Sequence, residues 1–230
     1  KVTADKAEII LKKWFEVTAN LPPQCFSAYV LNGKTMYILL TNTGKMEPAI
    51  QTAIQALSNL NQKNTKTGSV PIEKALSNFF GITHPIYFKN ASAGLYKNYG
   101  EIEGCVKKAL QLVVQGSGMI YQVNTLGGKI QSAEFEKNSA FAHRAYPYFS
   151  ELQSYWELPS QEQRLTDRFQ QVQQVFSQHG IKAHYRNYPD LRFANWAESY
   201  YGANYQRLQL FKNKYDPYNL FRFEQSVRNT

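Results

Sequence analysis

The sequence predicts an α+β fold, an antiparallel sheet covered by helices on one face, and three observations carry that expectation. Apolar residues recur at three and four in several segments, the spacing of helices with one buried side. β-rich runs lie between them, punctuated by Asn32-Gly33 and Gly127-Gly128, which accept the positive φ of tight turns. Strands therefore come as hairpins, and hairpins alternating with packed helices imply an antiparallel sheet with its helices on one side.

Taken in order, the first element is a helix over Lys6–Thr18, where Ala7, Ile10, Leu11, Trp14 and Phe15 share a face and Pro22-Pro23 stops the run. Cys25–Leu31 and Thr35–Leu40 form a hairpin about Asn32-Gly33. Pro48 opens a second helix carrying Ile50, Ala53, Ile54, Leu57 and Leu60, followed by a polar loop from Asn61 to Gly68. Pro71 opens a short helix with Ala75, Leu76, Phe79 and Phe80 inward, and another begins near Glu101 with Ile102, Val106, Ala109, Leu110 and Val113 before Gly116. Met119–Asn124 and Lys129–Phe135 read as a second hairpin about Leu126-Gly127-Gly128, and Ala145–Trp156 as an aromatic-rich strand. Ser160 with Gln163 has the capping-box pattern ahead of Leu165, Phe169, Val172 and Phe176, and Gly180 closes that helix. We divide the chain into a substrate-binding α+β part over 1–180 and a C-terminal segment over 181–230.

Composition narrows the function classes. A chain of 230 residues, 43% apolar and 14% aromatic, buries about 70% of its unfolded surface without staples and is far from disordered composition. No run approaches the roughly 18 apolar residues of a membrane span, and Lys1 opens an amphipathic pattern instead of a signal-peptide core. Because the first residue is not methionine, the chain is expected to be a piece of a longer or processed product. The charge is 26 − 17 = +9, but its basic residues are singles and pairs such as Lys12-Lys13, so we expect solvated faces and no nucleic-acid partner. Every arginine lies at or beyond Arg144, giving the C-terminal part the planar donors suited to carboxylate or phosphate. Cys25 and Cys105 lack metal-ligand spacing, and the four histidines contain no His-x-x-x-His pair, so no metal is expected.

The last fifty residues concentrate tyrosine, arginine and asparagine around prolines without a clean period. Asn187-Tyr188-Pro189-Asp190 is followed by Tyr200-Tyr201-Gly202-x-Asn204-Tyr205-x-Arg207-Leu208. Then comes Lys212-x-Lys214-Tyr215-Asp216-Pro217-x-Asn219-x-Phe221-Arg222-x-x-Gln225-Ser226. Together these resemble the C-terminal signature of the berberine-bridge-enzyme-like FAD-linked oxidases of the vanillyl-alcohol-oxidase superfamily. Weaker echoes are Pro85-x-Tyr87-Phe88-Lys89-x-x-Ser92, Gly127-Gly128 and Ala142-His143-Arg144.

The resemblance implies a flavoenzyme substrate domain roofing the isoalloxazine ring, plus a C-terminal segment that packs on an N-terminal FAD-binding portion of the same protein. Nothing in this sequence resembles that flavin portion, so the chain alone is expected to be inactive and FAD to be held mainly elsewhere. By the same resemblance Tyr188 is the catalytic base, Tyr185 and Asn187 face the flavin, and Asn219 and Gln225 belong to the cofactor side. Removing a hydride requires a base for the hydroxyl or amine proton. A tyrosine starts near pKa 10, so Arg186 or Arg192 is expected beside it to lower that value. Plant members carry a glutamate on the strand after the His-Arg pair. With His143 aligned, Ser150 takes that place here, and only an insertion or bulge would bring Glu151 there; otherwise Glu151 faces solvent. Asn124 and Gln153 are expected on the substrate roof. Both cysteines are expected to be core thiols. The small-molecule substrate is an alcohol, a sugar or a phenol; a non-catalytic binding module of the same fold is the rival reading, and a basic nucleic-acid-binding domain a further one.

Overall fold

The computed structural model describes residues 1–60, 65–77, 84–136 and 138–230. Thr3 caps the first helix, α1 (Ala4–Thr18), its Oγ1 accepting the Lys6 N–H at 3.3 Å, and Asp5 suits the positive end of the helix dipole. Strands β1 (Cys25–Asn32) and β2 (Thr35–Asn42) form the expected hairpin. Its turn is Gly33-Lys34, one residue later than the Asn-Gly dipeptide suggests. Gly33 takes the positive φ of 51°, and Asn32 pairs with Thr35 as the closing rung. Helix α2 (Pro48–Ser58) packs on α1, and α3 covers Ile72–Ser77. Phe79 and Phe80, expected to extend α3, lie outside the described residues, as does part of the predicted loop at 61–64.

The sheet has five antiparallel strands in the order β2-β1-β4-β5-β3, with β3 at Tyr87–Tyr96, β4 at Met119–Thr125 and β5 at Tyr148–Trp156. One face lies under α1, α4 (Val106–Val114) and α6 (Glu162–Gln178). Tyr29, Leu31, Ala91, Tyr121, Val123 and Leu152 point into that core, against Trp14, Leu110, Phe169 and Phe176. Several of its buried polar atoms find partners inside it, as burial favours. Trp14 Nε1 donates to Ser27 Oγ at 2.9 Å, Tyr29 OH to the Ala7 carbonyl at 3.1 Å, and the Tyr96 hydroxyl meets Ser150 Oγ at 2.7 Å. Both cysteines are free and buried; burial pushes the Cys105 thiol up to about 11 and also raises Cys25, consistent with inert core thiols.

Two local expectations are corrected, and one strand appears that the sequence did not predict. Lys129–Phe135 is not a strand: a 3₁₀ turn at Gly128–Gln131 and a short helix, α5 (Ala133–Glu136), stand there. Ile130 and Phe135 remain well exposed, so the segment has no apolar face to lay against a partner strand. It belongs to an excursion closed at its base by the Leu126 N–H donating to the Pro147 carbonyl at 2.7 Å, which lets β4 pair with distant β5. Strand β3 carries no expectation at all, because Lys89-Asn90-Ala91-Ser92-Ala93-Gly94 lacks the bulky β-branched side chains by which strands are recognised. Finally, the Ser160–Gln163 box does not form: Gln163 bonds Asp167 at 2.8 Å. Gln161 reaches back instead, Oε1 accepting the N–H groups of Glu157 and Leu158 at 3.2 Å each.

The C-terminal segment continues from Gly180, whose φ of 90° ends α6, and adds α7 (Trp196–Tyr201) and α8 (Asn204–Tyr215). It runs along the outer edge of β3, accepting from Leu95 N–H at the Ala183 carbonyl (3.0 Å) and from Ser92 N–H at the Tyr188 carbonyl (2.9 Å). Phe169→Ala empties a fully buried site, so chemical denaturation of this chain should show a loss of about 3–5 kcal/mol. Phe221→Ala, on a residue 79% exposed, should change stability by less than about 0.5 kcal/mol.

Candidate functional site

The sheet face away from the helices carries the candidate site. Direct antiparallel partners share a face, and the register sets Gln122 opposite Glu151 and Glu151 opposite Ser92. One rung away, Asn124 pairs with Phe149; on the other side, Gln153 pairs with both Ile120 and Asn90, and Phe88 with Tyr155. The face is thus a band of amides and aromatic rings around one carboxylate. The Phe88 and Tyr155 rings lie 6.1 Å apart at 27°, Gln122 Nε2 donates to Asn124 Oδ1 at 2.8 Å, and Tyr155 OH donates to Gln153 Oε1 at 2.9 Å.

Glu151 is only 6% exposed. Alternation along an unbroken β5 turns Ser150 into the helix-side core and Glu151 onto the open face, so the solvent-facing alternative is overturned and β5 needs no bulge. The irregularity of the sheet lies in β3, between Ser92 and Gly94. Burial raises the Glu151 pKa, while Gln153, Asn90 and Tyr188, polar neighbours able to donate to the carboxylate, pull it back.

Tyr188 arrives from the C-terminal segment. Its ring stacks on Phe149 at 6.1 Å and 27°, and Tyr185 stands edge-on to it at 5.3 Å. Burial first, and the Glu151 carboxylate second, push the phenol up to about 12. This corrects the expectation of an arginine that lowers it. Arg186 Nε donates to Tyr201 OH at 2.9 Å, its guanidinium lying over the Tyr200 and Phe223 rings, and Arg192 is exposed, only its backbone N–H reaching Asp190 Oδ1 at 3.1 Å. Tyr188 therefore stands beside a carboxylate, not a cation.

The remaining expected residues divide into two groups. Asn124 is buried on the face, Gln153 is half-buried beside Glu151, and Asn187 at the rim donates to Tyr185 OH at 3.0 Å. Asn219 and Gln225 sit in the tail. Asn219 holds the positive φ of a turn whose Leu220 and Phe221 N–H groups are accepted by Asp216 at 2.7 and 3.1 Å. Gln225 Nε2 donates to the Asp190 carbonyl at 2.8 Å, two residues beyond Tyr188. Lys89 Nζ adds an ion pair with Asp190 Oδ2 at 3.2 Å. Sequence reasoning missed Asn90, Gln122 and Phe149 as members of the face. Once β3 is recognised, a period of two from Glu151 and its partners finds all three. A separate cleft of about 390 Å³, lined by Pro22, Pro23, Lys97, Thr125, Gly127 and Tyr148 among others, contains none of the expected site residues. Among the described residues no cluster of His, Cys, Asp and Glu could hold a metal ion, and no helix is long and apolar enough to cross a membrane.

Residues 184–228 match the family described as berberine and berberine like. An uncharacterized FAD-linked oxidoreductase, YvdP, of Bacillus subtilis is 36% identical over 101 residues, 44% of this chain and 22% of that protein. The chitooligosaccharide oxidase of Gibberella zeae is 30% identical over 115 residues, 46% of this chain and 23% of that protein. Among solved structures, BBE-like 1 of Physcomitrella patens overlays with a TM-score of 0.81 at 18% identity, covering 98% of this chain and 52% of that one. The segment is thus a berberine-like one, the relatives are FAD-linked oxidoreductases, and the fold is that of berberine-bridge-enzyme-like flavoenzymes, of which the chain spans about half the length.

The raised Glu151 pKa makes a linkage prediction. A carboxyl whose folded pKa lies above its unfolded value contributes stability in full below the unfolded pKa, and that contribution is lost as pH rises through the folded one. Glu151→Gln should therefore be more stable than wild type to chemical denaturation at pH 7, with the advantage shrinking as pH falls through the raised folded pKa and gone below the ordinary glutamate value.

Proposed function

We propose that this chain is the substrate-binding and C-terminal portion of an FAD-dependent oxidase that takes a hydride from an alcohol carbon and passes the electrons to oxygen. The observation that carries the reading is the buried Glu151 carboxylate beside the Tyr188 phenol, on a face otherwise made of amides and rings. The planar rings of Phe149 and Tyr185 and the amide of Asn187 at the rim suit a flat conjugated ring, so Tyr185 and Asn187 are the residues that would hold that end of the cofactor. FAD, when bound, supplies the hydride acceptor.

The proton chemistry follows from the two pKa directions. A phenol pushed to about 12 is protonated at neutral pH, so Tyr188 serves as base by relay. Its oxygen takes the substrate hydroxyl proton while its own proton passes to the Glu151 carboxylate. Burial raises the basicity of that carboxylate and thereby favours the transfer. The face suits a polyhydroxylated substrate. Amides of Asn90, Gln122, Asn124 and Gln153 can exchange hydrogen bonds with hydroxyl groups, and the Phe88–Tyr155 rings offer a flat apolar platform for a sugar ring. The relative named for chitooligosaccharide oxidation is in keeping with this choice among the alcohol, sugar and phenol classes.

The tail supports the division of labour between this chain and an N-terminal FAD-binding portion. Leu210, Phe211, Tyr215, Tyr218, Leu220, Phe221 and Phe223 are all exposed within one stretch, an apolar density that soluble surfaces ordinarily reserve for contact. We assign it to docking on that portion. Titrating this chain alone with FAD should give no tight flavin binding; stoichiometric binding at micromolar concentration would refute the division.

In the FAD-loaded protein, Tyr188→Phe should slow flavin reduction by an oligosaccharide about 10²–10⁴-fold, the usual contribution of a positioned base, while bound flavin is retained. Glu151→Gln should slow it in the same direction. Stopped-flow reduction decides. Wild-type rates in both variants would reject the site, and a faster rate with a simple phenol than with any sugar would reject the substrate class.

A further inference from the structure

Ser92 is fully buried at the β3 irregularity, on the rung directly opposite Glu151. Its backbone N–H donates to the Tyr188 carbonyl at 2.9 Å. Its Oγ accepts the Tyr185 N–H at 3.0 Å and the Gly94 N–H at 3.3 Å. The turn closes on itself through the Tyr188 N–H to the Tyr185 carbonyl at 3.1 Å. One small residue therefore grips both ends of the four-residue turn that delivers Tyr188. Gly94, two residues on, is constrained at the same irregularity: its φ is 130° and a β-carbon there would meet the Ile181 side chain at 2.3 Å.

Counting valences identifies what fixes that hydroxyl. An Oγ has two lone pairs and one proton. The two backbone N–H groups occupy the lone pairs, and the proton needs an acceptor in a site without water access. His184 Nδ1 lies 3.4 Å away, in a ring stacked on Phe193 at 4.1 Å. We propose that Ser92 and His184 are positioning residues for Tyr188, Ser92 holding the Tyr185–Tyr188 turn against Glu151 and His184 accepting the Ser92 hydroxyl proton at Nδ1. The inference rests on the catalytic reading given above for Tyr188.

The ring is suited to that role. Burial is the chief reason the pKa of the His184 ring is lowered to about 4; the Ser92 backbone opposes it, His143 adds to it, and Asp190 opposes it least. The ring is therefore neutral at pH 7 with a nitrogen lone pair to offer. Because two backbone N–H groups already fill the Ser92 Oγ lone pairs, Nδ1 can serve this hydroxyl only as an acceptor, and that role places the ring proton on Nε2.

Two variants of near-native volume test the arrangement in the FAD-loaded protein: Ser92→Ala, which deletes the hydroxyl, and His184→Phe, which keeps the stack on Phe193 but deletes the acceptor. Misplacement by an ångström costs up to about 100-fold. Each should lower kcat for flavin reduction about 10- to 100-fold and kcat/KM equally, without changing KM, the pattern of an interaction used only in the transition state. On a Tyr188→Phe background both should then have no further effect, because they act through that phenol. Ring ¹⁵N shifts of His184 should report the Nε2–H form in wild type, a readout that owes nothing to turnover. Effects that add to an active Tyr188→Phe defect, or an Nδ1–H ring, would overturn this inference alone. Silence of Tyr188→Phe itself would overturn the catalytic reading and with it the positioning role.

Discussion

Strict alternation along a paired strand is the constraint on which the rest of this molecule depends. Once β4 and β5 are in register, Tyr121, Val123 and Leu152 must enter the helix-side core, and Gln122, Asn124 and Glu151 must leave it. A slip of one residue would send a carboxylate into the layer of Trp14 and Phe176 and a leucine onto the polar face. Both moves are expensive, since an unpaired buried charge costs several kcal/mol and the lost apolar burial adds to it. The same hydrophobic layer that stabilises the fold therefore also fixes which side chains the open face presents, without any loop having to choose them.

That constraint explains why some of the site was legible in the sequence and some was not. Helices announced themselves because their apolar faces are long: α1 and α6 place Trp14, Phe15, Phe169 and Phe176 at helical spacing. β5 was visible for the same reason. β3 was not, since its small and polar residues make sense only against a partner on each side, one of them β5 and the other the non-strand segment from Ala183 to Tyr188. The false strand at Lys129–Phe135 is the converse case. Its Gly-Gly turn signal is local, and the competing pairing of β4 with β5 involves residues that no local pattern connects.

The motif in the C-terminal segment was recognisable long before its meaning in space was. Asn187-Tyr188-Pro189-Asp190 reads as a signature, yet which of its residues faces the site depends on anchors elsewhere: Ser92 and Lys89 from β3, Tyr200, whose hydroxyl accepts the Asp190 N–H at 2.9 Å, and Gln225 from the tail. Sequence reasoning sought an arginine to activate the phenol because charge partners are easiest to imagine among neighbours. The nearer charge is an anion from β5, and on the reading proposed here it favours a proton relay over a pre-formed phenolate.

On the reading proposed here, the tail has a further physical consequence. Gln225 and the exposed run from Leu210 to Phe223 are on one continuous piece of chain, and Gln225 is bonded to Asp190 beside the Tyr188 turn. Ordering that piece against an apolar partner would restrict the turn without touching it, because a hydrogen bond to a fixed donor confines its acceptor more than one to a mobile donor does. A residue such as Gln225 can thus matter to a flavin site without contacting flavin. Its amide nitrogen is committed to the protein backbone, and the cofactor side of the molecule would feel it through the stiffness of the loop that it holds.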